Sequence, residues 1–362
     1  MRDLFDITGP NGKHACLVLD PMGPDLNALL LRHPNFQPSK ASEEQRFPKQ
    51  LAKRMLRDVL LGLCFLHSRG IVHADLHPGN VLATICHFEV NTGSIQKLQQ
   101  LASQGEPLER IDGKPDPWAP SYLLEPAPLF DSVSFELSPV VKIIDLGAGK
   151  PNPNCLYYNM LIRLAFFEGH PAPKTVVPVA LRAPEIIFNL PLGKEMDIWC
   201  FGCLVFELLT GRALFLWLDS LSGGASDEVT NDEHLIQLSE ILGPLPGDML
   251  SKWRRRDQYY GPDGKRLVDP TDADESDCED DGESADNSSI ASGISWSTGS
   301  LMLAPSTHFA PLAQRLRDEK LDDLGEDEER EVVQLLQWIL QYDASKRPSA
   351  QTILEHPWFS SI

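Results

Sequence analysis

The sequence predicts an α+β chain in which a mainly α-helical body, residues 25–362, is entered through a strand and turn in residues 1–24. Three observations predict it. From Pro48 to His67 the residues Leu51, Met55, Val59, Gly62 and Leu63 recur on one face of a 3.6-residue period, which is the pattern of an amphipathic helix. Ile198 to Leu209 is apolar nearly all round, which marks a helix buried on every face. Between the two, Ile71-Val72 and Val81-Leu82 bracket a polar run, so a strand, a turn and a second strand interrupt the helical sequence.

Taken in order, Phe5-Asp6-Ile7 and His14 to Leu19 flank Thr8-Gly9-Pro10-Asn11-Gly12, strand sequence around a turn, and Asp20-Pro21-Met22-Gly23 turns again. Asp25 to Arg32 is helical in spacing. Pro48 near the start of the long helix and Gly70 beyond its end fit helix boundaries, because proline is preset for a first turn and glycine tolerates the left-handed exit. A spacer insert is expected at 83–139: residues 87–138 keep no period, and Pro115-Asp116-Pro117-Trp118-Ala119-Pro120 is loop sequence. Val140 to Ile144 reads as a strand. Asn154 to Phe167 is unusually apolar for an exposed loop, and the stretch of about residues 149–164 reads either as an insertion or as a retained intron. A second insert, 250–310, joins Arg254-Arg255-Arg256, an acidic run and Ser/Gly-rich sequence, and its middle is expected to be disordered. Glu331 to Leu340 and Ala350 to Leu354 complete the helical body.

The totals bound the function. With 42% hydrophobic and 23% charged residues, 362 residues bury a full core. The seven cysteines lack the short, even spacing of a disulfide framework, which favours a reducing compartment, cytoplasm and/or nucleus. Cys200 and Cys203 lie inside the apolar helix, so packing explains them better than zinc or redox chemistry. The longest apolar run is too short to span a membrane, and no membrane association is expected. Of the formal charge of -20, Asp269 to Asp286 supplies ten acids with no base, and Asp318 to Glu331 nine acids against Lys320 and Arg330. The acidity is segmental, and direct nucleic-acid binding is not expected.

The run His73-Ala74-Asp75-Leu76-His77-Pro78-Gly79-Asn80 sets a carboxylate and an amide five positions apart. A carboxylate that accepts a proton, beside an amide oxygen that holds a divalent cation, is what phosphoryl transfer from a nucleotide needs. Turn formation alone would explain either residue singly. Four further landmarks follow in order: Asp145-Leu146-Gly147 after a strand, Ala183-Pro184-Glu185, Asp197-Ile198-Trp199 opening the buried helix, and Arg347 in Lys346-Arg347-Pro348-Ser349 ahead of His356-Pro357-Trp358-Phe359. With them the chain resembles eukaryotic-type protein kinases over nearly its whole length. Small-molecule phosphotransferases share the Asp-Leu-His-Pro-Gly-Asn string but lack the Ala-Pro-Glu and Asp-x-Trp landmarks. Leu146, Ala74, the spacer and the segment Asp232-Glu233-His234-Leu235 through Leu242-Gly243 resemble the kinases of Arg/Ser-rich (SR) proteins.

The resemblance implies a protein-kinase-like α+β fold: a mainly α-helical large lobe with a residual strand and hinge of the small lobe. It implies Asp75 as the group that accepts the substrate hydroxyl proton, and Asn80 with Asp145 as Mg2+ ligands. His77 stands where a phosphate-contacting lysine is usual. The Asp20 carbonyl and Met22 N–H would bond an ATP adenine, with Leu82 as its apolar floor. Asp197 would hold the catalytic-loop backbone, and Glu185 would pair with Arg347. Nothing before Asp20 reads as a glycine-rich phosphate cover, a strand lysine or a helix glutamate. Neutral His77 supplies less positive charge than lysine, Pro178 replaces a threonine that bridges lysine and base, and Ala74 removes an arginine that pairs with a phosphorylated loop. The expected function is a protein serine/threonine kinase acting on basic proteins of Arg/Ser type. The alternative is a catalytically silent large lobe that binds partners.

Overall fold

The computed structural model describes residues 2–9, 12–36, 45–85, 140–146, 165–169, 177–216, 227–267, 308–320 and 323–360, with short pieces of the spacer. The acidic run 269–286 and residues 149–164 lie outside the described residues.

Strands β1 (Asp3–Gly9) and β2 (Gly12–Val18) form an antiparallel hairpin with Leu4 opposite Leu17 and Phe5 opposite Cys16. Leu4, Phe5, Ile7, Leu17 and Val18 are all exposed on it. The next strand, β3 (Met22–Asp25), joins a three-stranded antiparallel sheet of order β3-β5-β8, with β5 at Val81–Thr84 and β8 at Val141–Ile143. A two-stranded pair, β4 (Ile71–Val72) with β9 (Phe166–Phe167), stands at the other side of the polar turn. Inside the spacer, β6 (Glu106–Pro107) pairs with β7 (Tyr122–Leu123). Two-residue strands are too short to leave a period, which is why this stretch reads as loop.

Helix α1 (Leu26–Arg32) starts where the Asp25 carboxylate accepts the Ala28 N–H at 2.9 Å, satisfying one of the unpaired donors of a first turn. Helix α2 (Lys49–His67) follows Pro48 and buries Met55, Val59 and Leu63 as its spacing predicts. Gly62 on that face lets α2 lie close to β8: a Cβ there would lie 2.9 Å from Ile143 Cδ1 and would push that side chain aside. The same approach lets Asp58 accept the Val141 N–H at 3.1 Å. Helix α3 (Glu195–Thr210) is the buried pillar, and Gly211 ends it in the left-handed conformation at φ 75°. Cys200 and Cys203 are buried in α3, where burial pushes both thiols up and leaves them unreactive.

Helices α4 (Asp227–Ile241), α5 (Leu312–Glu319), α6 (Glu326–Ile339) and α7 (Ala350–Leu354) share the hydrophobic core of α3, α5 and α6 packing on the pillar itself and α7 on α2. Two boundaries differ from expectation. Helix α6 begins at Glu326, five residues before Glu331, because its acidic first turn, read as a charged segment, complements the positive end of the helix dipole. Residues 250–267, counted with the second insert, fold onto α4: Trp253 Nε1 donates to Asp232 Oδ1 at 2.7 Å, and the Ser239 and Tyr260 hydroxyls meet at 2.9 Å. The aromatic anchors outweigh the arginines, and Arg255 itself reaches Asp232 at 3.1 Å. Among the described residues, no helix is long and apolar enough to cross a membrane.

Candidate active site

The turn between β4 and β5 carries the predicted residues Asp75, His77 and Asn80, and Asp197 holds it by its backbone. Fully buried at the start of α3, this carboxylate accepts the His73 N–H at 2.9 Å and the Ala74 N–H at 2.7 Å, while the His67 Nε2–H reaches it at 2.8 Å. Three donors compensate a charge removed from water. They also hold Ala74 at φ 66°, a left-handed conformation that costs a residue with a Cβ about 1 to 2 kcal/mol and persists only where its surroundings overdetermine it. His67 was not singled out in the sequence. Its one signal is a polar residue in the last turn of α2 on the inward side.

His73, also fully buried, links the turn to the strand beyond. Its Nδ1 accepts the Asp75 N–H at 3.2 Å, so its proton sits on Nε2 and is donated to the Ile144 carbonyl at 2.8 Å. Asp75 and Asn80, the predicted pair, are brought together: Asn80 Nδ2 donates to the Asp75 carbonyl at 2.9 Å and to Asp75 Oδ2 at 3.1 Å. Both amide hydrogens of Asn80 are thus committed to Asp75 through Nδ2. Asp145, the second predicted metal ligand, is placed beside it by strand register. Val81 pairs with Ile143, the Ile144 N–H donates to the Asn80 carbonyl at 2.9 Å, and Asp145 follows at φ 62°, again left-handed. An amide oxygen and a carboxylate fit Mg2+, which takes such groups together with phosphate oxygens.

His77 sits over the same turn. Its Nδ1 accepts the Gly79 N–H at 3.1 Å and its Nε2 lies 3.8 Å from Asp75 Oδ2. Burial pushes this imidazole below its ordinary value, against the opposing pull of the Asp75 carboxylate. Of the predicted adenine-binding residues, Met22 and Leu82 lie on adjacent strands of one sheet, with Met22 opposite Thr84 and Asp25 opposite Leu82. Asp20 precedes them on the surface, where Arg2 bonds its carboxylate at 2.6 Å and lowers its pKa.

The Ala-Pro-Glu turn is tied to the base of the body. Arg347 grips Glu185 with two bonds of 2.6 and 2.7 Å, donates to the Glu195 and Gln341 carbonyls, and lies over the Trp199 ring. Just before that turn, the Arg182 carbonyl accepts from His234 Nε2 of α4 at 2.9 Å. His234 is fully buried, and burial lowers its pKa from 6.5 to about 4. An unfolded chain takes up this proton near pH 6.5 and the folded chain only near 4, so the unfolded state binds more protons between those values and stability falls as pH drops. The shift corresponds to about 3 kcal/mol. Glutamine keeps a donor at the Nε2 position and does not titrate, so His234→Gln is expected to flatten that part of the stability curve in urea titrations between pH 7 and 4. A slope equal to that of the native chain would contradict this.

A helical body with a carboxylate and an amide bonded to each other at one turn, a second carboxylate after the neighbouring strand and a buried ion pair fixing an Ala-Pro-Glu segment has the layout of a large lobe of the protein-kinase class. Residues 135–359, more than half of the chain, match the protein kinase domain, and the chain belongs to that family. The match begins downstream of Asp75 and Asn80, whereas several relatives align over the entire chain. The SRPK serine/threonine-protein kinase of Physarum polycephalum is 25% identical, covering 100% of this chain and 71% of its own length. The AFC1 serine/threonine-protein kinase of Arabidopsis thaliana is 24% identical over 99% of this chain and 57% of its own. The human dual specificity protein kinase CLK2 is 24% identical over 100% and 51%. These similarities support a kinase of the SR-protein kinase and CLK type, and the chain spans between about half and 71% of these relatives' lengths. A solved kinase domain, 22% identical, superposes with a TM-score of 0.51 over 96% of this chain and 73% of its own, which shows the fold.

Proposed function

We propose that the chain is the large lobe of a protein serine/threonine kinase that moves the γ-phosphate of ATP, with Mg2+, to hydroxyls of basic, Arg/Ser-rich proteins. The observation that carries this is the Asp75–Asn80 pair: Asn80 occupies Asp75 Oδ2 and leaves Oδ1 to take the proton of a substrate hydroxyl, while Asn80 Oδ1 and Asp145 offer oxygens to the metal. Such a site works by positioning and charge, since phosphoryl transfer asks little covalent chemistry of the protein. Met22 and Leu82 would hold and floor the adenine. Arg/Ser-type substrates fit the acidic character of the chain, with its formal charge of -20, because a negative surface field attracts basic peptides and excludes nucleic acid. The relatives are named serine/threonine-protein and dual specificity protein kinases, which supports protein hydroxyls as the phosphate acceptor, and such substrates suit the cytoplasm and/or nucleus. His77 and Pro178, which replace a lysine and a threonine in the resemblance, favour a second reading, in which the lobe binds partners without catalysis.

Calorimetric titration with MgATP and radiolabelled transfer to an Arg/Ser peptide separate the readings. Residues 1–362 alone are expected to bind MgATP weakly and show no measurable transfer, because Asp75, Asn80 and Asp145 act on the phosphates from one side only. Joined to a small lobe with a glycine-rich strand and a strand lysine, the chain is expected to transfer phosphate. Robust turnover by residues 1–362 would refute the first expectation, and an extended chain that binds MgATP but transfers nothing would establish the non-catalytic reading.

A further inference from the structure

In this chain the position of the usual lysine is filled by an imidazole, and the turn is built to accept it. His77 folds back over Gly79, whose N–H donates to Nδ1 at 3.1 Å. A Cβ on residue 79 would lie 2.9 Å from His77 Cε1 and 3.0 Å from Nδ1, so a side chain there would expel the ring from its seat. With Nδ1 engaged as an acceptor, the neutral ring carries its hydrogen on Nε2. That atom lies 3.8 Å from Asp75 Oδ2, outside hydrogen-bond distance, and the same oxygen accepts from Asn80 Nδ2 at 3.1 Å.

We propose that His77 and Gly79 form one positioning unit, in which the Gly79 N–H selects the Nε2–H tautomer of His77 and aims that hydrogen at Asp75 Oδ2. Asn80 and His77 then hold one oxygen of the carboxylate from two sides, and the other oxygen is presented to the incoming hydroxyl. His77 acts here through Asp75 rather than by touching phosphate: a neutral donor supplies orientation where a cation would supply charge. This rests on the reading of Asp75 as the proton acceptor.

Two measurements test it, and the first needs no turnover. In residues 1–362 labelled with nitrogen-15 at histidine, long-range proton–nitrogen spectra, with His77 assigned by its loss in His77→Gln, are expected to show an acceptor-type Nδ1 and a protonated Nε2. Gly79→Ala should shift His77 alone toward mixed tautomers. An Nδ1–H tautomer, or His77 nitrogens unmoved by Gly79→Ala, overturns the inference. The second measurement uses the form that transfers phosphate. Asparagine places an acceptor where Nδ1 sits and keeps the turn; glutamine places a donor where Nε2 sits and loses the Gly79 bond. His77→Gln, which keeps a donor but loses its seat, is expected to lower kcat about threefold, and His77→Asn, which loses the donor, to lower it at least about tenfold, with KM for ATP and peptide unchanged in both, the pattern of an interaction that matters in the transition state. Equal effects, or the reverse order, overturn the proposal. If no form transfers phosphate, the catalytic reading falls by itself and the spectra decide the tautomer and its seat.

Discussion

Replacing Asp75 by asparagine is expected to lower phosphoryl transfer by about 100- to 10,000-fold, the range of a lost general base. The substitution removes proton acceptance and almost nothing else. An asparagine at 75 still offers an oxygen to Asn80 Nδ2, whose bond to Asp75 Oδ2 is 3.1 Å, and its main chain still accepts from Asn80 and donates to His73 Nδ1. Thermal unfolding and MgATP affinity should therefore stay at the native values while kcat falls. The measurement is single-turnover transfer by the extended chain, and unchanged turnover would remove Asp75 from its assigned role.

Breaking the pair between Glu185 and Arg347 should have the largest effect on stability. Both side chains are buried, and the two bonds of 2.6 and 2.7 Å sit where water cannot replace either partner. Removing one partner strands the other charge, at a cost of about 3 to 5 kcal/mol. Arg347→Met and Glu185→Gln should each lower the urea midpoint accordingly, whereas Glu185→Leu combined with Arg347→Met should recover part of the loss. Recovery should stay incomplete, because Arg347 also serves the Glu195 and Gln341 carbonyls and covers Trp199. A single variant with an unchanged midpoint would show that the pair adds nothing to stability.

Much of the fold was legible from periodicity. The face of α2 that holds Met55, Val59 and Leu63 and the all-round burial of α3 follow from where apolar residues recur. The pieces that escaped are those whose order comes from a partner distant in sequence. Residues 250–267 look like charged loop until Trp253 finds Asp232 on α4, and β6 and β7 are two residues each. The start of α6 was hidden for a different reason, since a run of acids reads alike as a tail or as a favourable first turn.

The sequence by itself determined which atoms are available at the site: the Asp75 carboxylate, the Asn80 amide, the Asp145 carboxylate and an imidazole at 77, each set by residue type and by spacing along a short turn. Only the tertiary structure decided how those atoms are used. The proton of His73 is on Nε2 because the Ile144 carbonyl lies opposite it, and the hydrogen-bond acceptor of His77 is Nδ1 because Gly79 leaves room for the ring. Ala74 stays in a left-handed conformation because a carboxylate 123 residues away accepts its N–H, with His67 on the same carboxylate from the end of α2. A tautomer, a strained φ and a buried charge are each settled by the group that lies across from them, and packing alone brings that group into place.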